Sequence, residues 1–99
     1  MQAHYPAEFR REMGCTEEEL LRWLPGAVDG RPVTLMPRAA DVAIGSGRLE
    51  LAWRELPPRR IALMRMPRLA IVFHFEGVGE AERQAFMRFF DLYTQRGGG

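Results

Sequence analysis

A chain of 99 residues, 46% hydrophobic and 27% charged, has the length of one domain and the composition of a folded one. One cysteine, Cys15, and two histidines, His4 and His74, exclude an internal disulfide, a cysteine-rich zinc site and a metal centre built on histidine alone. The net charge of +1 is unevenly spread: residues 1–30 carry three arginines against six acids, residues 31–75 eight against three, and residues 76–99 three against four.

All fourteen basic side chains are arginine, a usage that codon bias explains without invoking function. No apolar run approaches the ~20 residues that span a bilayer. Arg10, Arg11 and Glu12 arrive too early for a signal sequence. The chain is therefore read as cytoplasmic and away from the membrane, a single domain over 1–99 with loose ends at 1–5 and 97–99.

Pro6 suits the first position of a short helix ending near Met13, with Gly14 as its stop. Thr16-Glu17-Glu18-Glu19 is a capping box, which starts a second helix with an apolar stripe of Leu20, Leu21 and Leu24, and Pro25-Gly26 is expected to end it. From Arg31 onward the apolar period changes from helical to two. Val33 and Leu35 form a short strand, and Val42 and Ile44 a second. Gly45-Ser46-Gly47 is a hairpin turn into a strand with Leu49, Leu51 and Trp53 on one side. Pro57-Pro58 is expected to close that strand, and Ile61 to Met66 to form a weaker one that Pro67 interrupts. Leu69, Ile71, Phe73 and Phe75 alternate in a further strand. After the Gly77-Val78-Gly79 turn, Phe86, Phe89, Phe90 and Tyr93 fall on one stripe of a helix over 80–94, with Gly97 as its cap.

The expected fold is α+β: an antiparallel meander of four to five strands, one face covered by the C-terminal helix, with a short N-terminal helix at an edge or end. Val42, Ile44, Leu49, Leu51, Trp53, Ile61, Leu63, Ile71 and Phe73 make the covered face. Emptying the Phe89 site is then expected to cost ~3–5 kcal/mol.

Several motifs fail on their chemistry. Gly77-Val78-Gly79 precedes a helix as in dinucleotide-binding loops, but Glu80 and Glu82 stand where a phosphate would sit, so no cofactor is implied. Phe9 to Leu24 resembles the start of a helix-turn-helix repressor, yet it is acidic and strands follow where the recognition helix belongs. Cys15 before a helix start is a candidate for a lowered pKa but lacks a histidine partner, and Ser46 lies in a turn. The tail Gln95-Arg96-Gly97-Gly98-Gly99 resembles the diglycine end of ubiquitin-like and sulfur-carrier proteins, although there the tail follows a strand and here a helix. The segment from Pro57 to Gly99, and above all Phe90-Asp91-Leu92-Tyr93-Thr94-Gln95-Arg96-Gly97-Gly98-Gly99, resembles the C-terminal half of a group of small uncharacterised bacterial proteins. That resemblance implies a bacterial source and carries no activity.

Two surfaces remain. Arg54, Arg59, Arg60, Arg65 and Arg68 form the most basic stretch, suited to holding an anion or nucleic acid. His74 and Glu76 share the parity opposite the core, as do Arg48, Glu50 and Arg54, so strand pairing could gather Arg48, Glu50, His74 and Glu76 into a polar cluster. Ala52, Ala62, Met64, Met66, Ala70 and Val72 are assigned to the same open face, whose mild apolarity and free edges suit a protein partner or a second copy. The leading expectation is a non-enzymatic interaction domain. Anion or nucleic-acid binding comes second and a carrier role for the glycine tail third. No catalytic or metal set is matched, which places an enzyme behind these.

Overall fold

A computed structural model describes residues 4–97, and the side chains of 4–95. In chain order the elements are β1 (Glu8–Met13), α1 (Glu17–Ala27), β2 (Val33–Met36), β3 (Ala39–Ile44), β4 (Gly47–Ile61), β5 (Met64–Glu76) and α2 (Glu80–Gly97). The five strands form one antiparallel sheet in the order β1-β5-β4-β3-β2. Four strands are thus a meander, and β1 returns to pair with β5 at the far edge. The α+β fold expected from the pattern is the one observed.

The capping box of α1 forms as read: the Thr16 hydroxyl accepts from the Glu19 backbone N–H at 3.1 Å, and the Glu19 carboxylate accepts from the Thr16 backbone N–H at 2.9 Å. The helix does not stop at Pro25-Gly26, however. Proline in the last turn forfeits a single helical bond, and the chain turns away only at Asp29 and Gly30, both left-handed at φ 58° and 73°. Gly26 has a packing reason instead, since a Cβ there would overlap the Tyr93 ring of α2. The two helices therefore approach closely over the same side of the sheet.

That side is the core. Val42, Ile44, Leu49, Leu51, Trp53, Leu69, Ile71, Phe73 and Phe75 are buried beneath Leu20, Trp23 and Leu24 of α1 and Phe86, Met87 and Phe90 of α2. Phe90 meets Phe73 edge-on at 5.6 Å between ring centroids, Phe86 meets Phe75 likewise at 5.9 Å, and Phe9 of β1 stacks on Phe73 at 4.7 Å. The α2 stripe is rotated relative to expectation. Met87 and Thr94 face inward, while Phe89 remains 43% exposed and Tyr93 turns toward Gly26 of α1. A second helix on the same face claims part of what the aromatic stripe was expected to cover.

Three local readings are corrected. Residues 8–13 are a strand, because the alternating inner set of Phe9, Arg11 and Met13 has an arginine at its centre and so hid its period of two. Neither Pro57-Pro58 nor Pro67 ends a strand. The ladder pairs Leu56 with Arg68 and then Arg59 with Met66, and this register shift places all three prolines at a bulge, where a missing N–H breaks no ladder bond. Residues 61–66 are accordingly a hairpin tip, turning at Ala62 (φ 55°) and Leu63. Ile61 and Leu63, assigned to the core, are exposed there.

Tyr5 and Gly97 were both expected in loose ends. Tyr5 instead donates its hydroxyl to Asp91, and Gly97 is the last residue of α2. The remainder of that expectation, residues 1–3 and 98–99, lies outside the described residues. No helix among those described is long and apolar enough to cross a membrane.

Two substitutions one position apart in α2 test this packing. Phe90→Ala is expected to cost ~3–5 kcal/mol by chemical denaturation, and Phe89→Ala about 1 kcal/mol or less. Equal losses would contradict the helix orientation.

Candidate functional site

Beyond Leu56 and Arg68 the paired strands β4 and β5 leave the body of the protein as an arm of exposed residues. At ~3.3 Å per residue, the stretch from Leu56 to the tip is about 20 Å long, within a molecule whose longest extent is 46 Å. Ile61, Leu63, Met64 and Met66 are all exposed on it.

Partners in an antiparallel ladder project to the same side, so the register assigns the open face row by row. The first row holds Ala43, Arg48 and Glu76, and the second Asp41, Glu50, His74 and Glu8. The third is Met36, Ala39, Ala52, Val72 and Arg10; the fourth is Arg54, Ala70 and Glu12. Leu56 with Arg68, Arg59 with Met66, and Ile61 with Met64 continue along the arm.

The four polar residues singled out from parity, Arg48, Glu50, His74 and Glu76, are neighbours in the first two rows. Arg48 Nη1 donates to Asp41 at 2.9 Å and Arg48 Nε to Glu76 at 3.1 Å, while Glu50 stands 3.9 Å from Arg48 Nη2. The two ring nitrogens of His74 lie 3.2 Å from Glu76 and 3.1 Å from Glu8. The hydrogen bond to Glu76 and then that to Glu8 raise the His74 pKa above the ordinary imidazole value. Parity alone does not reach Glu8, whose segment reads as a helix, or Asp41, whose neighbours are set by strand pairing.

The five arginines do not form one cluster. Arg54, Arg59 and Arg68 lie on the open face, and Glu12 bridges Arg59 and Arg68 at 3.4 and 3.2 Å. Arg68 also donates to the Pro57 carbonyl at 2.9 Å. Arg60 and Arg65 face each other on the opposite side of the arm, and neither has a carboxylate partner among the described residues.

A concavity of about 380 Å³ lies between β1, α1 and α2 and is lined by Arg11, Cys15, Trp23, Asp91, Thr94 and Gln95 among others. Its charges are spent on structure. Arg11 donates to Asp91 at 2.6 and 3.3 Å, Tyr5 donates to the same carboxylate, and the guanidinium lies 5.3 Å from the Phe73 ring centroid. Burial works against the Arg11 charge, but Asp91 and Tyr5 outweigh it and hold the group firmly protonated. The hydrogen bond to Asp91 and burial likewise raise the Tyr5 pKa. The Cys15 thiol, considered for activation from its place before α1, is pushed the other way, up to about 11, by burial and then by Glu19. A thiol so held is no nucleophile near neutrality. The cleft thus presents a satisfied ion pair and a protonated thiol.

No protein-family model matches the chain, and no curated protein matches it either.

The His74 bonds carry a pH signature. A raised pKa in the folded state stabilises the fold fully below the unfolded value of about 6.5 and is lost as pH climbs through the folded value. The melting-temperature gap between the wild type and His74→Gln is expected to be widest below about pH 6.5 and to narrow as pH rises above it. A gap that widens with pH would refute the carboxylate contacts.

Proposed function

We propose that this chain is a non-enzymatic protein-interaction domain of the bacterial cytoplasm, acting through the open face of its sheet and the arm that extends it. The observation that carries the reading is the exposed apolar set along that face and arm: Met36 is 41% exposed, Met66 42%, Ile61 54% and Met64 63%. Methionine-rich surface suits an adaptable contact, and exposed apolar side chains grouped on the arm of a small domain mark a site of association. Against a catalytic role, the one thiol is held protonated and the His74 imidazole on the open face has both nitrogens engaged by carboxylates. A single buried thiol is compatible with a reducing compartment.

The test is site-specific photo-crosslinking in the native host. A photoreactive residue at Ala52 or Met66 is expected to give discrete protein adducts, and one at Arg88, on the outer side of α2, none. Adducts from Arg88 alone, or from no position, would overturn the reading.

A second reading has its own observation. Arg60 and Arg65 stand opposite each other in register with no acid between them, and like charges across a ladder are unfavourable unless an anion joins them. Under this alternative the arm grips phosphate, as in a nucleic acid. Retention on heparin that weakens with salt and disappears in Arg60→Ala/Arg65→Ala is its expected outcome; retention unchanged in that variant excludes it. The carrier role for the glycine tail rests on Gly98 and Gly99, outside the described residues, and gains no support from a helix that runs to Gly97.

A further inference from the structure

The open face has opposite charges at its two ends. In the first two rows Glu8, Asp41, Glu50 and Glu76 stand against Arg48 alone, leaving three negative charges while His74 is neutral. From the third row outward Arg10, Arg54, Arg59 and Arg68 stand against Glu12 alone, leaving three positive charges. The third and fourth rows, between the acidic rows and the arm, hold Ala39, Ala52, Ala70 and Val72 beside Arg10, Arg54 and Glu12, over a shallow groove of about 220 Å³.

Such a surface is complementary to itself when turned by half a revolution. We propose that the open sheet face is the interface of a two-fold symmetric homodimer, in which the acidic end of each copy lies on the basic arm of the other. This rests on the interaction-domain reading and names the partner as a second copy.

Four features fit. An isologous contact requires each patch to match itself, and opposite charge at the two ends, about a centre of small residues flanked by Arg10, Arg54 and Glu12, does so. The two-fold axis falls near Ala52 and Ala70, small residues that let two backbones approach. The size is adequate: β4 and β5 over ~13 residues and β1 and β3 over 6 residues each, at ~3.3 Å per residue and ~4.8 Å between strands, give roughly 600 Å² per partner, the lower end of a standard stable interface. The arm also gains an explanation, because its reach from the axis exceeds the sheet on the other side. Ile61 and Met64 of each copy then extend past the partner's acidic rows toward its Gly45-Ser46 turn, burying apolar side chains that are otherwise in water. Face-to-face sheets of this kind pack with strands within about 30° of each other.

The test is a charge exchange on the full chain, read by sedimentation velocity. The wild type is expected to show a concentration-dependent monomer–dimer equilibrium that weakens between low and high salt. Reversing the basic end with Arg54→Glu/Arg59→Glu, or the acidic end with Glu8→Arg/Glu50→Arg, is expected to weaken self-association at least roughly tenfold. Mixing the two variants should restore a dimer, because each then meets the opposite charge at both ends. Restoration is a readout that a folding defect cannot produce; circular dichroism of each variant checks the fold independently.

A wild type that remains monomeric up to about 1 mM, single variants that dimerise as well as the wild type, or a mixture of folded variants that stays monomeric each overturns the dimer. A monomer that still crosslinks to a different protein from Ala52 also overturns it, while leaving the interaction-domain reading intact. Retention on heparin in place of self-association assigns the arm to an anion and overturns the dimer too.

Discussion

The β4–β5 ladder is the constraint on which the rest of the molecule depends. Its inner residues, Leu49, Leu51 and Trp53 opposite Phe75, Phe73 and Ile71, form the floor on which both helices rest. The outer residues of the same strands define the open face, because period two leaves no residue free to serve both sides. Shifting this ladder by one residue would exchange the two faces entirely. The core and the candidate interface are therefore two consequences of one register.

The arm follows from how that register survives three prolines. A regular ladder would have ended at Leu56, as the proline pair suggests. The extra residue at the bulge absorbs Pro57 and Pro58 opposite Pro67, and pairing resumes at Arg59 and Met66. Prolines and exposed arginines also make the arm a poor template for uncontrolled strand addition. What it presents is the side-chain face of a two-stranded ribbon, which favours face packing over edge pairing.

Polar chemistry is divided between inside and outside. Arg11, Asp91 and Tyr5 fasten β1 to α2 beneath the Phe73 ring, in a setting where each charge has its partner. The pairs on the open face, such as Arg48 with Asp41 and Glu76, sit in water, where ion pairs contribute little stability. Their weight is in which partner the surface attracts and in what orientation.

Composition and local pattern determined much of this protein on their own. The capping box, the hairpin at Gly45-Ser46, the alternation of residues 49–53 and 69–75 and the α+β class were all legible, because each is set by neighbours within a few positions in the chain. So was the shared parity of Arg48, Glu50, His74 and Glu76. Pairing alone decided the rest. Residues 8–13 became a strand because β5 offered an edge, α2 rotated away from Phe89 because α1 occupies the same face, and the Ile61–Met66 segment became a tip because the bulge let β4 pass its prolines. Which arginines share a surface with Glu8 and Asp41 depends on the order of strands, and strand order is a property of contacts distant in the chain that no local pattern encodes.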